Sequence, residues 1–88
     1  MTLRIVADVR EGGTTIRLIG RMRAEHIEPV RAELAASRAP TALDLDEVTL
    51  ADVDAIRFLV TAERDGVALQ HCAPFIREWM AKEEVRGG

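Results

Sequence analysis

The hydrophobic period of this chain changes near residue 24, and that change constrains the fold more than any other feature. Before it, Leu3, Ile5, Ala7 and Val9 alternate with Arg4, Val6, Asp8 and Arg10, the two-residue repeat of a half-buried strand. Glu11, Gly12, Gly13 and Thr14 form a turn signal. Alternation then resumes from Thr15 to Met22 through Ile16, Leu18 and Gly20, so two strands joined by a short hairpin are predicted. From Ala24 onward, Ile27, Val30 and Leu34 recur at three and four residues, as one face of a helix does. That helix is expected to begin only at Glu28, to tolerate Pro29 in its first turn, to fade at Ser37 and to end before Pro40.

Strand and helix signals alternate from there. Thr41 to Leu45 is short and mostly apolar, bounded by Pro40 and the acidic Asp46 and Glu47, as a buried strand would be. Val53, Ile56, Leu59 and Val60 form a second helical face running to Arg64, and Gly66 supplies a left-handed stop. Val67 to Leu69 reads as a last short strand. Pro74 then opens a third helix with Ile76, Trp79 and Met80 on one side and a Glu78–Lys82 pair on the other. The only aromatic residues are two Phe and one Trp, so Phe75 and Trp79 are expected to fill the core.

The order β-β-α-β-α-β-α, with two right-handed crossovers, predicts an α/β fold. Its four-stranded sheet is mixed and mostly parallel, packed with helices, with the first strand as the antiparallel member. The 88 residues are read as one domain over 1–85, with 86–88 as a frayed tail. A chain of this size hides only about 60 per cent of its unfolded surface. Its thin core is expected to include Leu18, Leu43, Leu45, Ile56, Leu59 and Val60.

A net charge of −3 argues against nucleic acid, which selects a clustered positive surface. The single cysteine, Cys72, has no internal disulfide partner and fits a reducing compartment. The alternating N-terminus is not a signal peptide, and no apolar run approaches the ~18 residues of a membrane span. A cytoplasmic protein is expected.

The ingredients of catalysis are sparse. His26 and His71 are the only histidines and Ser37 the only serine. Gly12 and Gly13 lie between two strands, whereas a phosphate loop leads from a strand into a helix. His71 and Cys72 are adjacent and lack further ligands at metal spacing. No enzyme, cofactor or metal site is therefore expected. The acidic run Asp44, Asp46, Glu47, Asp52 and Asp54 invites comparison with magnesium-binding receiver domains, but those need a lysine on a later strand and the only lysine here is Lys82. In the simpler reading Asp52 caps the second helix and Asp54 sits in its first turn, where the helix dipole favours negative charge.

The segment from Ala42 to Ile56, read with Leu18 to Met22 and Gly66 to Leu69, resembles STAS domains, the family of anti-sigma factor antagonists and of sulfate-transporter cytoplasmic domains. The family pattern is a buried strand, a short acidic turn, and Asp-Ser-Ser-Gly or Asp-Ser-Ala-Gly entering a helix. Position by position, Asp52 matches the aspartate, Val53 the first serine, Asp54 the serine that a partner kinase phosphorylates, and Ala55 the glycine. The resemblance implies a STAS-like fold and a non-catalytic protein-binding regulatory module, not switched by serine phosphorylation at the usual position. It implies a partner-binding face on the loop from Asp46 to Val53 and the following helix start, comprising Asp46, Thr49, Asp52, Val53, Asp54 and Arg57. The implied partner is an anti-sigma factor or serine-kinase-like protein. The alternative is a subunit of a larger complex, such as a phospholipid-transport ABC system.

Overall fold

The computed structural model describes residues 3–87. Strand β1 (Arg4–Arg10) pairs antiparallel with β2 (Gly13–Met22), with Arg10 opposite Gly13, so the turn is Glu11–Gly12 alone. Thr14 N–H donates to Pro40 O at 3.0 Å, tying the hairpin to the approach of the third strand. Gly13 sits at φ 135°, and a Cβ there would lie 2.1 Å from that same carbonyl oxygen.

A 3-10 turn (Ala24–His26) leads into α1 (Ile27–Ala36), one residue earlier than the periodicity suggests. Strand β3 (Thr41–Ala51), helix α2 (Val53–Arg64), strand β4 (Ala68–Gln70) and helix α3 (Pro74–Gly87) follow. The sheet order is β1-β2-β3-β4, with β2–β3 and β3–β4 parallel. Both crossovers step the same way across the sheet, so their common handedness puts α1 and α2 on one face. The core lies between: Ile16, Leu18, Met22, Leu43, Leu45, Ile56, Leu59, Val60, Val30, Ile76 and Met80 are buried in one cluster.

The largest departure from expectation is β3, which continues to Ala51 instead of ending at Leu45. Its pairing with β2 shifts register twice, between Arg17 and Ile19 and between Gly20 and Arg21. Each shift sets one extra β3 residue against the partner strand, and such bulges reset which face the next side chain meets. Leu45 and Val48 are consequently both buried while Asp46 and Glu47 are exposed. Alternation fails although the strand continues, and Asp46 to Ala51 is strand rather than loop.

Four smaller corrections follow from what covers what. The last strand is Ala68–Gln70, one residue later than Val67–Leu69. Ala7 and Val9 lie opposite Ile16 and Thr14 on the helix-bearing face, yet Val9 is 66 % exposed, because β1 is the edge strand and the helices lie over its neighbours. Val53 is exposed because it is the first residue of α2, with no earlier turn to shelter it. Phe75 and Trp79 are also exposed rather than core. The buried positions of α3 are Ile76, Met80 and Glu83, and each aromatic precedes one of them by about 100° of helical rotation. Trp79 instead carries Lys82, whose ammonium stands 4.9 Å from the ring centre. The expected Glu78–Lys82 pair is present at 3.8 Å. The helix backbone continues through Gly87, so of the tail expected at 86–88 only Gly88 lies outside the described residues.

Two ion pairs join α3 to α2. Arg57 Nε donates to Glu83 Oε1 at 2.7 Å, and Arg77 donates twice to Glu63 at 3.0 and 2.8 Å. The Arg77 hydrogen bonds hold the Glu63 carboxyl below its usual range against the opposing effect of burial. A carboxyl lowered in the folded state stabilises above its unfolded pKa, and that contribution disappears as pH falls through the folded value. Glu63→Gln is therefore expected to flatten the loss of stability on acidification below about pH 4. Urea midpoints compared near pH 7 and pH 3 check this, and an unaltered acid slope would deny the pair any role.

Candidate partner-binding face

The bulged half of β3 and the start of α2 meet at the carboxyl ends of the parallel strands, where open α/β sheets characteristically bind their ligands. Asp52 joins the elements there. Its backbone N–H donates to Met22 O at 3.1 Å, its Oδ1 accepts Ala55 N–H at 2.9 Å and its Oδ2 accepts Ala24 N–H at 2.9 Å. The first side-chain bond is the helix cap expected from the sequence. The second reaches the 3-10 turn, so one carboxylate fixes α2 against the end of β2. Asp52→Ala is expected to cost about 1 to 2 kcal/mol in urea denaturation. Asp52→Asn should fall between, because an amide has one oxygen for two N–H donors. Equal stability of all three proteins would remove Asp52 from the frame.

The expected site residues divide around this anchor. Asp46, Thr49, Val53, Asp54 and Arg57 are exposed, whereas Asp52 is partly buried and committed to backbone. Asp46 N–H donates to Asp44 Oδ1 at 3.1 Å and the Thr49 hydroxyl donates to Gly20 O at 3.3 Å, which stabilises the two irregular stretches of β3. Asp54 has no ion-pair partner within 4 Å among the described residues and lies beside a shallow groove that Ile27, Arg31, Arg57 and Phe58 also line. Arg57 is held on its far side by Glu83, whose hydrogen bond, more than Asp54's charge, raises the guanidinium pKa. Leu50 was not among the expected residues. It is 40 % exposed, and its place opposite the exposed Arg21 puts it on the sheet face away from the helices, so Val53, 46 % exposed, is the open apolar side chain next to Asp54.

His26 has a structural place that sequence alone did not reveal. It is buried, with the Arg23 backbone N–H 3.0 Å from its Nδ1 and the Leu3 backbone N–H 3.4 Å from its Nε2, so the ring ties the start of β1 to the 3-10 turn. His71 is exposed at φ 54° and its Nδ1 lies 3.1 Å from Asp44 Oδ1. Burial pushes the Asp44 carboxyl up, but the Asp46 N–H and His71 together bring it below its usual value. Burial pushes the neighbouring Cys72 thiol up, which disfavours the thiolate a metal would need. Among the described residues no three His, Cys, Asp or Glu side chains are grouped to hold a metal ion. Native mass spectrometry is expected to show a metal-free chain whose melting temperature ignores chelator. Stoichiometric zinc lost on mutating His71 or Cys72 would contradict this.

The arrangement of strands and helices has a match among solved structures. The anti-sigma factor antagonist SpoIIAA, in its unphosphorylated form, superimposes with a TM-score of 0.64 over 99 % of this chain and 100 % of its own, at 17 % identity. The chain has a SpoIIAA-like fold. An uncharacterized protein of the DUF3478 family from Shewanella loihica PV-4, described as SpoIIAA-like in fold, matches with a TM-score of 0.51 and 13 % identity, over 97 % of this chain and 78 % of its own. No family model matches the sequence, and no curated protein does. The SpoIIAA-like arrangement is the one that the STAS resemblance implied, reached here through backbone geometry. Among the described residues no helix is long and apolar enough to cross a membrane.

Proposed function

We propose that this chain is a cytoplasmic, non-catalytic regulatory module that binds a protein partner, as anti-sigma factor antagonists do, through Asp46, Thr49, Val53, Asp54 and Arg57. The observation that carries this reading is the exposed Val53 next to the Asp54 carboxylate, which has no ion-pair partner among the described residues, on a frame that Asp52 holds in place. Apolar side chains ringed by charge are the usual makeup of an interface core and its rim. Asp52 acts here as the positioning residue behind the face.

Asp54 puts a carboxylate where a phosphorylatable serine would otherwise stand. It occupies the first turn of α2, where the helix dipole favours an anion by about 0.3 to 1 kcal/mol. A phosphoserine at that position would bring nearly two charges and three acceptor oxygens, so a carboxylate imitates it only in part. The partner is therefore expected to present a basic group to Asp54 and an apolar one to Val53. With the partner purified from the native host, Asp54→Asn and Asp54→Ser should each weaken binding about tenfold or more. Unchanged affinity in both variants, with folding intact, would leave Asp54 as a helix-start residue only.

A further inference from the structure

We infer that β1 is a self-complementary edge through which two copies of this chain pair antiparallel, extending the four-stranded sheets into one of eight. Strand β1 is the sheet edge and hydrogen-bonds β2 on one side only. An open edge offers a row of free N–H and C=O groups, which proteins usually blunt with proline, lysine or a bulge. The segment Leu3-Arg4-Ile5-Val6-Ala7-Asp8-Val9 has no proline or lysine, and its pairing with β2 runs from Arg4 to Arg10 without a register shift.

The order of residues selects a second copy as the occupant. A two-fold axis through Val6 sets Leu3 against Val9, Arg4 against Asp8, Ile5 against Ala7 and Val6 against itself. Every opposed pair is then apolar on apolar or cation on anion, the combinations that stabilise an antiparallel ladder. An axis through Ala7 would instead oppose Arg4 to Arg10 and Val6 to Asp8. A one-residue slip is excluded because it would bring inward side chains opposite outward ones. The two-fold makes the interface isologous, so the Arg4–Asp8 match is made twice.

Two further observations fit this occupant. Both Arg10 hydrogen bonds go to Asp8 Oδ2, which leaves Oδ1 open to the Arg4 of a second copy. On the helix-bearing face Ala7 and Val9 are exposed and Ile5 is only partly covered. Side-by-side β1 strands would join these ledges into one apolar strip between the α1 helices of the two copies. Leu50, Val53 and Asp54 lie on β3 and α2 and take no part, so pairing and partner binding are separable.

Sedimentation equilibrium across a concentration series tests the pairing, with circular dichroism verifying that each variant is folded. The wild-type chain is expected to form a concentration-dependent dimer that weakens as salt is raised. Arg4→Asp and Asp8→Arg should each weaken it at least about tenfold, since each sets like charges opposite one another twice. The double variant R4D/D8R restores opposite charges across the axis and should recover the dimer. A wild-type chain that stays monomeric at every concentration overturns the inference. So does a dimer that ignores both single substitutions, or a double variant no better than the singles.

Discussion

Leu45→Ala is expected to remove about 2 to 5 kcal/mol of stability, a large part of what a domain this small possesses. Leu45 is fully buried, and it lies within the first register shift of β3, between the paired residues Asp44 and Glu47. The strand on either side is held by pairing with β2, so it has little freedom to collapse into the space a truncated side chain would leave. Truncation therefore costs both the transfer energy of the lost atoms and the cavity. Chemical denaturation measures the difference. A loss under about 1 kcal/mol would place Leu45 on the surface and break the assignment of β3.

Gly13→Ala is expected to be nearly as damaging, at about 2 to 4 kcal/mol, through two effects that a second glycine separates. At φ 135° an L-residue meets backbone strain of about 1 to 2 kcal/mol. The new Cβ would also lie 2.1 Å from Pro40 O, a carbonyl that the Thr14 N–H already holds at 3.0 Å. The hairpin must then move off the segment leading into β3. Gly66 also has a positive φ, 99°, but a Cβ there meets nothing within 4 Å. Gly66→Ala should show the strain alone. Equal melting-temperature losses in the two variants would mean that the approach of Gly13 to Pro40 contributes nothing.

What was legible in the sequence was what local periodicity encodes. Ile16 and Leu18 alternate with exposed or half-exposed neighbours, Asp52 caps α2, Gly66 ends it in a left-handed conformation, and the element order leads directly to the observed topology. What stayed hidden depends on distant partners. The two register shifts in β3 turn a period of two into the spacing Leu45, Val48, Ala51, which resembles the end of a strand. The exposure of Ala7 and Val9 depends on how far the helices reach over the sheet. Asp52 was readable as a cap, but its bond to Ala24, 28 residues away, was not. Leu50 was overlooked because it fell in a presumed loop. The available signal was a large apolar side chain with no periodic partner in its segment.

The same long-range features shape the candidate site. A loop from Asp46 to Val53 would have been a mobile recognition element that orders on binding. A bulged strand ending on the Asp52 anchor is a pre-organised one, and pre-organisation lowers the entropy lost when a partner docks. The face is thus expected to bind with little backbone rearrangement.

Amide hydrogen exchange on the chain, alone and bound to the partner purified from its native host, tests the central claim most directly. New protection is expected to concentrate between Thr49 and Arg57, with α3 unchanged. Protection on Phe75 to Lys82 of α3, or across the bare sheet face, with residues 49–57 unaltered, would contradict it.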